Sequence, residues 1–273
     1  MFRSLHFKLG LLFLLPVFNL AAQDSLVNLR ITDTLAAQIK LCAYDKLGNT
    51  YAVDAGNRLL KFDSDAKRVS TLNYSYSGNI AWLDASNPLE ILLFYPEMNS
   101  LAVVDNNLAL KGRFELSSYE IVQASAVGRA YDNGFWVFDS GDMTLKKLGR
   151  DAEVNIKSGN LLQFSNGLRL SPQFILDNGE RVLLVDSVNG FFVFDVFGQF
   201  IKRIPIQGAI WAETTRMGIS FLADGQQVWY DFQSLERRYS LLPFRGIKAI
   251  RQMPNSTSLI LIKDYLLFAK TKK

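Results

Sequence analysis

The 273-residue sequence predicts an all-β fold, a six-bladed β-propeller built from four-stranded antiparallel blades. Three observations point there. A degenerate repeat of roughly 40 residues, with four short strands in each copy, runs along the chain. The segment ahead of the first repeat alternates apolar and polar residues and can supply the strand that the last repeat lacks. The composition is 49% hydrophobic and 21% charged, with 20 Phe and 10 Tyr, residue types that suit pleated, half-buried surfaces.

In chain order, the first segment is set apart from the fold. Arg3 and Lys8 form a basic start, Leu9 to Leu20 is apolar except at Gly10, Pro16 and Asn19, and Ala21-Ala22 lead into Gln23-Asp24. This is the order of a secretory signal peptide over residues 1–22, with cleavage after Ala22 or Gln23 and a single propeller domain over residues 23–273. An uncleaved anchor is the competing reading, but a spanning helix needs roughly 20 apolar residues. The protein is therefore expected to be exported: periplasmic, associated with the outer membrane, or secreted. No membrane span is expected in the rest of the chain. Without Arg3 and Lys8 the 30 basic residues fall to 28 against 26 acidic ones. A nearly neutral domain gives no reason to expect nucleic acid as a partner.

Leu26 to Leu35, LVNLRITDTL, is the expected closing strand. The first full repeat is YDKLGNTYAVDAGNRLLKFDSDAKRV: turns at Lys46-Leu47-Gly48-Asn49 and at Gly56-Asn57 separate strands that end at Asp45, Asp54 and Asp63. The pattern returns from Phe174, with Asp177, Asp186 and Asp195, and from Ile210, with Asp224 and Asp231. It also returns around Tyr131, with Asp132 and Asp139. Poorer copies hold Asp84 and Asp105, with Tyr95-Pro96 in the middle position, and Asp264 alone in the last repeat. The second strand ends at Asp54, Tyr95, Asp139, Asp186, Asp224 and Asp264, spaced 41, 44, 47, 38 and 40 residues apart, which gives six blades. The Asp, Asn and Gly residues are explained by turn chemistry: Asp and Asn bond the backbone two residues on, and Gly supplies positive φ. The last repeat ends after Leu266 to Lys270 and lacks a fourth strand, so the final blade is expected to combine three C-terminal strands with one from the N-terminal segment.

The residues Gly48, Asn49, Tyr51, Val53, Asp54, Asn57, Arg58, Phe62 and Asp63 resemble an NHL repeat. The stretch from Asp177 to Asp195 carries part of the same pattern, and the other repeats share its architecture. YWTD- and TolB-type propellers are close lookalikes. The resemblance implies a ring of sheets around a central channel, used by most such proteins as a binding platform and by a few as an enzyme.

The chemistry available to the domain is restricted. His6, the single histidine, lies in the leader, so Ser-His-Asp and Cys-His catalysis and His-based zinc sites are not expected. Cys42 is the single cysteine, which excludes an internal disulfide and reads as a buried, inert thiol. No catalytic residue, metal or cofactor is assigned. The candidate binding face is formed by the inter-blade loops, where Tyr74, Tyr76, Tyr119, Phe164, Arg169, Trp211 and Arg245 lie in or beside the connections. Tyr, Trp and Arg are enriched at protein-binding hot spots, and the longest loop, Ser158 to Ser171, is where function is most expected. The expected function is that of an exported, non-enzymatic binding or scaffold propeller engaging a protein partner in the cell envelope. The alternatives are a metal-assisted hydrolase or lactonase, which needs several Glu, Asp or Asn side chains converging at the channel mouth, and a glycan or small-ligand binder on the aromatic rim.

Overall fold

Each repeat folds into one antiparallel sheet whose strands follow sequence order, and the six sheets form a ring. A computed structural model of the protein describes residues 25–26, 29–35, 37–73, 78–150, 153–242, 244–252, 257–263 and 265–271. The signal peptide assigned to residues 1–22 lies outside the described residues, as does Asp264.

Blade 1 comprises Ile39–Tyr44, Thr50–Asp54, Arg58–Phe62 and Arg68–Asn73. Blade 2 comprises Trp82–Asp84, Ile91–Tyr95, Ser100–Val104 and Leu110–Glu115. Blade 3 comprises Ala124–Arg129, Phe135–Asp139, Thr144–Leu148 and Val154–Lys157. Blade 4 comprises Phe174–Asp177, Arg181–Asp186, Gly190–Asp195 and Phe200–Ile204. Blade 5 comprises Trp211–Thr214, Gly218–Ala223, Gln226–Asp231 and Arg237–Leu241. Blade 6 comprises Ile247–Gln252, Thr257–Ile262 and Tyr265–Thr271, with Leu29–Leu35 as its outermost strand.

The expected closing strand is present and its described residues pair with two blades. Leu29–Leu35 pairs antiparallel with Tyr265–Thr271, while Ser25–Leu26 pairs parallel with Ser240 and Leu241 on the outer edge of blade 5. The N-terminal segment thus covers the free edges of two neighbouring blades. An unpaired sheet edge invites association with other chains; this segment gives blade 6 its fourth strand and pairs the blade 5 edge at Ser240 and Leu241. The pairing with blade 6 is bulged between Ile31 and Asp33, and the Thr32 hydroxyl donates to the Phe268 carbonyl at 3.1 Å.

Burial falls from the middle of each blade to its rim. Thr50–Asp54, Ile91–Tyr95 and Phe135–Asp139 are buried at every residue, whereas the outermost strands Arg68–Asn73, Leu110–Glu115 and Val154–Lys157 alternate between exposed and half-buried. Middle strands are covered on both faces by the adjacent blades, so they read as continuous apolar runs; rim strands face solvent on one side and read as alternation. The apolar clusters accordingly sit between blades: Trp136, Phe138, Phe192 and Phe194, for example, belong to one cluster shared by blades 3 and 4.

The acidic residues that mark the repeat hold its turns. Asp63, Asp105 and Asp195 each accept backbone N–H bonds from residues two and four positions on. A second device joins one blade to the next. Asn57 and Asn99 follow the second strands of blades 1 and 2 in the left-handed conformation, at φ of 61° and 44°. Asn57 Oδ1 accepts from Ile80 N while its Nδ2 donates to the Gly78 carbonyl, both at 2.8 Å. Asn99 Oδ1 accepts from Ala124 N at 2.8 Å while its Nδ2 donates to the Ile121 carbonyl at 3.0 Å. A carboxamide carries both a donor and an acceptor, so one side chain grips the start of the neighbouring inner strand through both.

The innermost strands of blades 3 and 4 approach closely at Gly128, where a Cβ would clash with the Ile175 carbonyl oxygen. Only glycine lets the two backbones meet there. That strand of blade 3 also opens on small residues, Ala124, Ser125 and Ala126.

Candidate functional site

Alternation of strand direction puts the start of each innermost strand, the turn after each second strand and the loop into the next blade at one end of the ring. That end is the face expected to bind. Its centre is the mouth of the channel, where the innermost strands begin.

A cavity of about 240 Å³ opens at this mouth. Lys40, Leu41 and Cys42 come from blade 1, Trp82 from blade 2, Phe174 from blade 4, Trp211 from blade 5, and Lys248, Ala249 and Arg251 from blade 6. On one side Trp82 and Phe174 stack face to face, with ring centroids 4.9 Å apart and planes 6° from parallel. They meet although blade 3 stands between their blades, because its inner strand carries side chains too small to separate them. On the other side the Arg251 guanidinium lies 5.9 Å from the Trp211 ring and 5.9 Å from the Tyr44 ring, within reach of cation–π attraction.

The polar groups of this region are incompletely paired. Trp82 Nε1, Trp211 Nε1 and Arg251 Nε are buried and find no hydrogen-bond partner among the described residues. Such orphans are uncommon, because leaving a buried donor unmade costs about 1–3 kcal/mol. Glu213, on the same inner strand as Trp211, is close enough to feel the Arg251 charge. Burial raises its carboxyl above the ordinary range, and the positive charge of Arg251 offsets this in part. No ion pair joins the two among the described residues. Tyr44 is also raised, first by burial and then by the Glu213 charge, with Arg251 opposing. Burial pushes the Cys42 thiol up to about 11, again with Arg251 opposing, so the thiolate that would make it reactive is scarce at neutral pH.

Among the described residues, those singled out from the sequence do not converge. Trp211 is 5% exposed and lines the channel mouth. Phe164 turns into the boundary of blades 3 and 4 and stacks on Phe200 with centroids 4.2 Å apart. Tyr119 packs against the cluster shared by blades 2 and 3. Arg169 is exposed and donates to the Ser140 carbonyl at 3.0 Å, which ties the long loop to a turn of blade 3. Arg245 is exposed in the bend that leads into blade 6. Tyr74 and Tyr76 lie outside the described residues. The sequence reading did not select Lys40, Trp82, Phe174, Glu213, Lys248 and Arg251. A usable signal was present: Ile39-Lys40 and Ile247-Lys248 open two inner strands with the same dipeptide, and an aromatic residue opens the inner strands of blades 2, 4 and 5.

The repeated carboxylates do not assemble a reactive centre. Asp45 accepts from Leu47 N, from the backbone and side-chain amides of Asn49 and from the Tyr51 hydroxyl. Asp186 accepts from the amides of Ser171, Val188 and Asn189. Among the described residues no group of three His, Cys, Asp or Glu side chains is placed to hold a metal ion. No helix among them is long and apolar enough to cross a membrane.

No family model matches the chain, and no curated protein matches it in sequence. Solved propeller structures do resemble it. A virginiamycin B lyase from Staphylococcus aureus superposes with a TM-score of 0.66 at 10% identity, over 90% of this chain and 100% of that one. The WD40 domain of Neurospora crassa Pan2 superposes with a TM-score of 0.68 at 6% identity, over 92% of this chain and 98% of that one. BBS1N, in a complex with ARL6DN, superposes with a TM-score of 0.62 at 10% identity, over 91% and 98% of the two chains. At these identities the likeness shows the propeller fold. The fold hosts a lyase and a partner-binding domain alike, so function has to be argued from the site.

Proposed function

We propose that the protein is an exported, non-catalytic binding propeller that engages a protein partner of the cell envelope through its loop face. The observation that carries this reading is how the two kinds of candidate residue are used. The repeated Asp side chains are engaged in holding turns and inter-blade loops. The loop face meanwhile leaves Val122, Leu168, Val188 and Ile210 between 54% and 72% exposed on the connections and turns from blade 2 to blade 5, beside the exposed Arg169. Apolar side chains interspersed with arginine suit a protein interface. The export leader assigned to residues 1–22 supports an envelope location.

The test is affinity capture from an envelope fraction of the source cell, comparing the intact protein with a Val122→Glu/Val188→Glu variant. The reading expects one specific partner, retained by the first and lost with the second. Recovery of no specific partner, together with robust hydrolase activity in the purified protein, overturns it.

A further inference from the structure

The channel mouth has the chemistry of a ligand site in its own right. Its charged lining is of one sign: Lys40, Lys248 and Arg251 contribute three cations and no carboxylate lines the cavity. Its body is apolar, with Trp82, Phe174 and Trp211 as walls. It also holds donors without acceptors. Trp211 is 95% buried, at 5% exposure, and its Nε1 has no partner among the described residues, as is also true of Arg251 Nε. Side chains from five blades build the cavity, most of them on innermost strands.

We propose that the channel mouth binds a small organic acid, with a flat apolar body between the tryptophans and a carboxylate directed to Arg251 and the two lysines. The volume of about 240 Å³ lies below the usual 300–1,000 Å³ of drug-sized pockets, which selects a ligand of one ring or a short chain. A carboxylate supplies acceptor oxygens for donors such as Trp211 Nε1 and Arg251 Nε, and its charge-assisted bonds are stronger than neutral ones. Glu213, whose carboxyl feels the Arg251 charge, leaves room for this role because it forms no ion pair with Arg251 among the described residues. The proposal concerns a free small molecule and stands whether or not a protein partner docks on the loops above.

The experiment uses the leader-free chain and four paired probes: benzoate, cinnamate, indole-3-acetate and hexanoate, each against its neutral amide. Binding is read by tryptophan fluorescence and by the upward shift of the melting temperature that a native-state ligand produces. At least one acid is expected to bind about tenfold or more tightly than its amide, the factor that corresponds to losing a hydrogen bond to a charged group. Arg251→Gln is expected to remove that preference. Lys40→Gln, on an exposed side chain whose loss does not threaten the fold, is expected to weaken the acid and leave the amide unchanged. The proposal fails if none of the four acids binds, if acid and amide bind equally, or if both variants, folded by circular dichroism, keep the affinity of the parent for the acid.

Discussion

Asp139 in blade 3 and Arg251 in the channel are both ionic groups inside the ring, and they are treated in opposite ways. The Asp139 carboxylate is fully buried and accepts from Val122 N, Gln123 N, Gly141 N and Lys146 Nζ at 2.7 to 3.0 Å. Lys146 in turn donates to the Glu120 carbonyl and reaches Asp142, which also pairs with Lys157. Every member of this network has a partner, and its effect is to pin the loop from blade 2 onto the second strand of blade 3. Arg251 has two aromatic faces beside it but no ion pair among the described residues, and its Nε is orphaned. A network with all its bonds made specifies structure. A buried donor set left open in a cavity holds its bonding capacity for something that arrives later.

The largest test of that contrast removes the centre of the closed network. Asp139→Ala takes the acceptor from the Val122, Gln123 and Gly141 N–H groups and leaves the buried Lys146 ammonium with Asp142 and the Glu120 carbonyl alone, and breaking a buried pair in this way costs about 3–5 kcal/mol. Denaturant titration of the variant should show that loss. The wild-type protein carries a related signature in acid. Burial works to raise Asp142, but hydrogen bonds from Thr144, Lys157 and Lys146 bring it down to about 2 from an ordinary 3.8. Its stabilising contribution is therefore complete above the ordinary value and is lost as pH falls from about 3.8 through about 2. A change below about 1 kcal/mol for Asp139→Ala would remove the distinction between the two regions.

Asn99→Ala tests a smaller closed unit, the clasp between blades 2 and 3. It leaves the Ala124 N–H and the Ile121 carbonyl without their side-chain partner and puts alanine at a φ of 44°, where asparagine is better tolerated. The expected loss is about 1–3 kcal/mol by the same titration. Asn57→Ala in blade 1 should behave alike, since its amide makes the equivalent two bonds. Unequal losses would show that the clasp does not act as a repeated device.

The two regions also differ in how far the sequence revealed them. The fold was legible because turn residues act locally: Asp63, Asp105 and Asp195 set the same turn in three repeats, and their spacing counts the blades. Closure of the ring was legible from the missing strand, but the added pairing to blade 5 was not, since it involves just two residues. The channel mouth was the hardest part to read. Its lining is assembled from single side chains roughly a repeat apart, and no local window shows them together. Aligning the repeats by their first strands places Lys40 beside Lys248 and Trp82 beside Trp211. Selecting loop aromatics by residue type instead gave Phe164 and Tyr119, which turn into blade boundaries, because a loop sequence carries no information on where its side chains point.

Glu213→Gln is the mildest change and the one whose sign separates the regions. Asp142 is lowered by its partners, whereas Glu213 is raised above its ordinary 4.5 by burial, so the fold favours its neutral form. The native state then binds more protons than the unfolded state between 4.5 and the raised value, and stability declines as pH rises through that interval. Below 4.5 the carboxyl is neutral in both states and glutamine offers no advantage; above the interval glutamine removes the cost of the buried charge. Thermal unfolding of the two proteins should therefore coincide in acid and diverge towards neutral pH, with the glutamine variant the more stable. A wild-type protein that is the more stable at neutral pH would mean that Glu213 and Arg251 form a working ion pair, and the channel would then belong with blade 3 as a closed network.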